Sequence, residues 1–303
     1  MGETKTYTYS LYVILAALFW GIIGLFVKKL IDLGLTPMEI VAVRVMFSSL
    51  FLFIYGLISK RKEMKVALKD MHLFIGTGIL SIAFFNWAYF TAIDMISLSV
   101  AVILLYTAPA FVMIMSVLFL KEKLSASKVL LLCMTLLGCF LVTGLNSDML
   151  AGGDLIGYLI GLASGFGYAL YSIFGKFAVK KYTSYTISFY TFLVATIALV
   201  PMTEIWTIFP VIMNIETMLN IIGLSLISTV FAFLLYTKGL QGIESSKASI
   251  LATVEPLAAM VIGIVIFQEI ITGVQLLGGA LIFISATLAS VDFKAFIKKK
   301  TAV

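Results

Sequence analysis

The sequence predicts an all-α integral membrane protein with ten transmembrane helices, arranged as two inverted five-helix repeats. Three observations carry that expectation. The 303-residue chain is 62% hydrophobic and only 12% charged, with a mean hydropathy of +1.13, whereas soluble domains run at roughly 45–50% apolar and about 25% charged. Ten apolar runs are each long enough to span a bilayer, which takes about 20 residues. The first half of the chain is also echoed in the second at a single ungapped offset of 147 residues.

The ten runs lie near 8–28, 37–58, 71–93, 96–119, 127–145, 154–175, 183–203, 216–237, 246–267 and 272–291. The first invites comparison with a signal peptide. It is as long as a full span, is followed by Lys28 and Lys29, and precedes nine further runs, so it reads as a permanent helix. The expected organisation is one repeat over 1–147, a second over 148–293, and a basic cytoplasmic tail over 294–303.

Charge tests the count. With the N-terminus inside and the runs alternating, the inside segments hold 18 of the 21 basic residues. They include the Lys60–Lys69 cluster, Lys121, Lys123, Lys128, Lys176, Lys180, Lys181, Lys238, Lys247 and the tail lysines. Only Lys28 and Lys29 fall outside, and Arg44 lies within a run. One helix more or fewer would scramble this bias, so both termini are expected in the cytoplasm of a multi-pass protein of the plasma (cell inner) membrane. The basic balance then reflects topology and attraction to lipid headgroups, with no nucleic-acid partner implied. Cys133 and Cys139 lie within an apolar run and point to no disulfide.

The repeat is clearest where Ala101–Glu122 aligns with Ala248–Glu269, setting Pro109 against Pro256 and Glu122 against Glu269. The same offset pairs Phe19 with Phe166, Lys29 with Lys176, Thr36 with Thr183, Gly76 with Gly223, Tyr89 with Tyr236 and Ser99 with Ser246. Five spans per copy is an odd number, so the second copy must be inverted relative to the first. Inverted repeats of this kind build secondary transporters, with the substrate site near the midplane where the copies meet.

These residues also carry a family resemblance. Trp20–Gly21 followed by Lys29, then Thr36–Pro37 and Arg44, then Pro109 and the KEKLS turn at Lys121–Ser125 make up the first half's pattern. Glu255–Pro256 and QEIITGVQLLGG from Gln268 to Gly279 make up the second. Over essentially the whole chain this resembles the EamA family of the drug/metabolite transporter superfamily. The first copy departs from the repeat ending at Lys128 and Leu131, where the second has Gln275 and Gly278. The resemblance implies a ten-helix carrier with a central cavity, for a substrate the family pattern does not fix.

Several residues stand out as candidates. Glu255 lies about ten residues into its run, so roughly 15 Å deep at 1.5 Å per residue. A carboxylate at that depth costs about 2.5–3.5 kcal/mol on insertion scales. It reads either as a cavity-facing group that binds a cation or exchanges protons, or as a structural acid bonded to a neighbouring helix. Pro109 and Pro256 withdraw the helical donors from the Leu105 and Ala252 carbonyls. They mark a kink or gate, with or without direct contact between those carbonyls and substrate. Arg44 is a possible charge partner for Glu255 or for a substrate carboxylate, against the alternative of snorkelling to the interface or packing between helices. Trp20, Trp87, Tyr106 and Tyr168, with Asn86, Ser81 and Thr107, would make an aromatic cavity suited to an amphipathic solute, against packing or a lipid-facing belt. Gly157, Gly161 and Gly165 form a small-residue stripe, read as helix packing.

The composition removes other classes. His72 is the only histidine and sits beside Asp70 at a helix edge, so neither a nucleophile–base pair nor a metal cluster is expected and no cofactor is implied. No G-x-x-x-x-G-K-[ST] sequence occurs. The leading reading is a secondary active transporter of a small organic metabolite, an amino acid, amine or related solute, working by alternating access with protons as a possible coupling partner. The alternatives are a multidrug or quaternary-ammonium exporter and, in a different class, an intramembrane enzyme or a channel. The partners expected are the substrate and membrane lipid, for a monomer or a homodimer.

Overall fold

The computed structural model describes residues 3–144 and 154–290. The expected repeat boundary at 147/148 and the basic tail at 294–303 lie outside them. All regular structure among the described residues is helical, and ten helices are long and apolar enough to cross a membrane. They are α1 (Thr6–Asp32), α2 (Pro37–Ser59), α3 (Leu68–Met95), α4 (Leu98–Leu120), α5 (Ala126–Thr143), α6 (Leu155–Ala178), α7 (Ser184–Met202), α8 (Ile215–Gly242), α9 (Ser245–Phe267) and α10 (Gly273–Ser290). The expected spans agree within a few residues, except that α8 runs on past Lys238 to Gly242. Lys238 is exposed, so the helix simply leaves the apolar zone there without ending.

Local chemistry starts and stops these helices. Thr36 caps α2 by a reciprocal box, its hydroxyl accepting from the Glu39 amide while the Glu39 side chain accepts from the Thr36 amide at 2.7 Å. Thr183, Ser97, Ser125 and Asn214 cap α7, α4, α5 and α8 with their side chains. The ends of α4 and α9 turn left-handed at Lys121 (φ 58°) and Gln268 (φ 55°), 147 residues apart. Both ends tie back alike, with the Glu122 amide donating to the Ser116 carbonyl and the Glu269 amide to the Gly263 carbonyl, each at 3.1 Å.

Interruptions inside helices recur at or near the same offset in two of three cases. α3 contains a π-helical stretch at Gly76–Ala83, and α8 one at Leu226–Phe231. α4 breaks at Tyr106–Thr107 and α9 at Thr253, each just ahead of its proline. α1 breaks at Ile22.

Hydrogen bonds between helix ends define two faces. On one face, which we call the basic face, Lys181 bonds Asp70 at 2.5 Å, Thr183 bonds Glu63, and Lys128 pairs with Glu244 at 2.7 Å. On the other, Lys29 pairs with Glu216 at 2.8 Å, and the Gln275 side chain reaches the Val142 carbonyl, drawing α10 onto α5. The main core gathers Ala16, Trp20, Ile82, Tyr171, Phe192, Phe233, Tyr236 and Leu251 from α1, α3, α6, α7, α8 and α9. The candidate site lies within this convergence.

Candidate substrate site

Two chambers meet at the centre of the bundle. One is lined by Tyr106 and Pro109 of α4, Tyr168 and Ser172 of α6, and Ser249, Thr253 and Glu255 of α9. The other is lined by Trp20 of α1, Ser81 and Phe85 of α3, Tyr168, Tyr171 and Ser172 of α6, and Phe233 and Tyr236 of α8. Tyr168 and Ser172 border both, so one turn of α6 forms the partition. Each chamber has about 20 Å³ of free space, room for a water rather than an organic solute. The site is therefore closed down in this conformation.

Helix breaks put the polar atoms here. The turn at Thr253 restarts α9 with Glu255 in its first turn, where partial positive charge from exposed amides favours a carboxylate. Glu255 remains partly exposed, into the chamber, and its Oε2 accepts from the Tyr168 hydroxyl at 3.4 Å. Thr107 and Thr253 turn their hydroxyls onto the Leu104 and Ile250 carbonyls, each at 2.6 Å. These lie one and two residues before the Leu105 and Ala252 carbonyls that the prolines deprive of donors.

The aromatic wall is continuous. Trp20 packs edge-on against Phe233 with centroids 5.1 Å apart, contacts Tyr236 at 5.1 Å and approaches Tyr168 at 6.4 Å. Phe85 meets Tyr168 at 5.4 Å. Hydroxyl pairs pin the rings, Ser172 to Tyr236 at 2.6 Å and Tyr171 to Thr237 at 2.7 Å. Ser81 keeps a buried hydroxyl with no partner on the chamber wall, so it is available to a solute.

Of the expected residues, Glu255, Trp20, Tyr106, Tyr168 and Pro109 come together at the chambers, and Pro256 is buried beside Glu255. Two do not join them. Trp87 is 43% exposed and lies against Phe84 on the outside of α3. Asn86 is buried, and its amide donates to the Ile82 carbonyl of its own helix at 2.7 Å. Phe85, one residue before Asn86, does line the chamber, so Asn86 and Trp87 fall on other faces of the same helix.

Arg44 does not snorkel. It is 8% exposed, its Nε has no partner, and it interacts electrostatically with Glu255 without touching it as an ion pair.

Two glycines matter more than their sequence context suggested. A Cβ at Gly21 would sit 2.6 Å from the Ala258 Cβ and 3.1 Å from the Glu255 carbonyl, so this glycine lets α1 press against the turn bearing Glu255. A Cβ at Gly165 would lie 2.7 Å from both the Leu104 carbonyl and the Thr107 Oγ1, so α6 lies directly on the break in α4. Ser172, Ser249 and Thr253 had no sequence signal beyond their spacing from Tyr168 and Glu255.

The sequence profile of the EamA-like transporter family matches residues 8–144 and again residues 155–291. The chain belongs to the EamA-like transporter family. It is 31% identical over 215 residues, 70% of this chain and 75% of the other, to a protein of Archaeoglobus fulgidus named as an uncharacterized transporter. It is 27% identical over 301 residues, 97% of this chain and 96% of the other, to the Bacillus subtilis transporter YwfM. The Salmonella typhimurium protein YicL, named as an inner membrane transporter, is 24% identical over 96% of this chain and 97% of its own. A crystal structure at 19% identity superposes with a TM-score of 0.79 over 93% of this chain and 96% of the other, sharing the fold. This family member is a multi-pass membrane transporter.

Proposed function

We propose that the protein is a secondary carrier for a small organic metabolite bearing an amine or other cationic group, working by alternating access. The observation that carries this reading is the placement of Glu255. The carboxylate faces a chamber at a helix break, is held by Tyr168, and is flanked by an aromatic wall that would attract a cation and its apolar body. Arg44 adds a buried positive charge that suits a substrate also carrying a carboxylate, such as an amino acid. The continuous wall of Trp20, Phe233, Tyr236 and Tyr168 gives the multidrug or quaternary-ammonium reading its support.

We further infer two five-helix repeats of inverted orientation. Support comes from the twice-matching family profile, from the left-handed turns and helix breaks that recur 147 residues apart, and from π stretches that overlap at that offset. The basic face is taken as cytoplasmic, with both termini on that side of the plasma membrane, from the distribution of lysines. Glu255 would bind substrate and proton in alternation.

Counterflow in proteoliposomes tests the carrier reading. Solutes that raise the melting temperature of the purified protein are loaded inside, and uptake of the labelled solute is followed. A carrier gives saturable, trans-stimulated uptake. Flux that stays linear in concentration and shows no trans-stimulation indicates a channel.

A further inference from the structure

The turn joining α8 to α9 on the basic face is held from both sides. Lys176 Nζ, at the end of α6, donates to the Leu240 and Ile243 carbonyls at 2.6 Å each, taking up acceptors at the end of α8. Glu122, just past the end of α4, accepts from the Ser245 and Ser246 amides at 2.6 and 3.2 Å and from the Ser246 hydroxyl at 2.5 Å. Those are the first two amides of α9, which have no partners within their own helix. A cation on helix-end carbonyls and a carboxylate on helix-start amides are both charge-assisted bonds, stronger than neutral ones.

Shifting each residue by 147 gives Lys29, Glu269 and the turn from Ile93 to Ser99, which joins α3 to α4 on the opposite face. There the same parts are present and disengaged. Lys29 is instead paired with Glu216, both side chains about half exposed. Glu269 is exposed and folded back toward Gly263. Among the described residues, no hydrogen bond joins Lys29 or Glu269 to the α3–α4 turn. The backbone around the two acids is otherwise the same, down to the tie of each amide to position 116 or 263.

We propose that Lys176 and Glu122 form the latch that shuts the basic face. Lys29 and Glu269 form its counterpart, which shuts the opposite face when the two halves exchange conformations. In that opposite state Glu269 accepts from the Leu98 and Ser99 amides and the Ser99 hydroxyl. Lys29 leaves Glu216 for the Ile93 and Ile96 carbonyls, while Glu122 and Lys176 let go. The latches act by holding turns and do not touch substrate, so they set the balance between states rather than specificity. This inference rests on the inverted-repeat carrier reading above.

Electron–electron distance measurements on the full chain in nanodiscs test it. One spin-label pair is placed at Lys123 and Lys238 on the basic face and another at Asp94 and Ile270 opposite, in a background with Cys133 and Cys139 replaced by alanine. Glu122→Ala and Lys176→Ala should add a longer component to the first pair and a shorter one to the second, shifting the ratio of states roughly tenfold, as expected for losing a charge-assisted hydrogen bond. Glu269→Ala and Lys29→Ala should do the reverse. Ser246→Ala removes a single donor and should give a smaller shift in the same direction as Glu122→Ala, which guards against misfolding of the charged variants. Distance distributions unchanged from wild type in Glu122→Ala and Ser246→Ala overturn the latch, whatever the transport result. Shifted distances in a protein that shows no counterflow of any solute uphold the latch and overturn the carrier reading.

Discussion

Tyr168 of α6 donates its hydroxyl to Glu255 of α9 across 3.4 Å, and both residues belong to the second matched half of the chain. The bond is long for its type, so the carboxylate keeps unused acceptor capacity facing the chamber. Tyr168→Phe is expected to keep the fold and weaken solute binding by roughly fivefold, about 1 kcal/mol for one modest hydrogen bond. Calorimetric titration of the purified variant checks this, and unchanged affinity would show the hydroxyl to be a spectator.

The two tryptophans proposed from the sequence separate cleanly. Trp20 is 6% exposed and walls the chamber, while Trp87 is 43% exposed on the outside of α3. Trp20→Ala should lower affinity tenfold or more by deleting aromatic contact, and Trp87→Ala should leave it unaltered. Equal effects would mean that the chamber is not where solute binds.

Close approach at the two glycines predicts a stability difference. Gly165→Ala and Gly21→Ala push a methyl group into atoms under 3 Å away, whereas Gly24 has nothing within 4 Å. Overpacking costs about 1–3 kcal/mol. Melting temperatures in detergent should fall for the first two and hold for Gly24→Ala.

Outside the spans, Glu63 predicts a pH effect. Its carboxyl is held below its ordinary value of 4.5 by bonds from Lys60 and then Thr183. A lowered folded value means the tie contributes fully above the ordinary value and is lost as pH falls through the folded one. Protection of the amides at the start of α7, measured as exchange relative to the intrinsic rate at each pH, should therefore be high at neutral pH and fall in acid, and Glu63→Gln should be weakly protected at both. A protection factor in the wild type that does not change with pH would contradict this.

The spans were legible because bilayer thickness demands a run of apolar residues whatever their identity. The end of α8 was missed because a helix may outlast the bilayer, and Lys238 marks the boundary of lipid rather than of hydrogen bonding. Glu255 stands out in the sequence because a carboxylate inside an apolar run is rare, and Pro109 and Pro256 because they remove donors. The breaks themselves fall two to three residues earlier, where threonine hydroxyls serve nearby carbonyls. Trp87 and Asn86 lie away from the chambers because an aromatic ring or an amide looks the same in sequence whether it faces a cavity, lipid or its own helix. Ser172 and Thr253 could not be read at all, since a lone small polar residue looks the same in a packed seam and in a site.

The central claim is that Glu255 binds the transported solute and exchanges it with a proton. Counterflow of an identified cationic solute, measured over a range of pH for wild type and Glu255→Gln, tests it most directly. We expect the variant to lose tenfold or more in apparent affinity and its flux to lose the wild-type dependence on pH. Equal affinity and an unchanged pH profile in Glu255→Gln would contradict the claim and leave Glu255 as a structural acid.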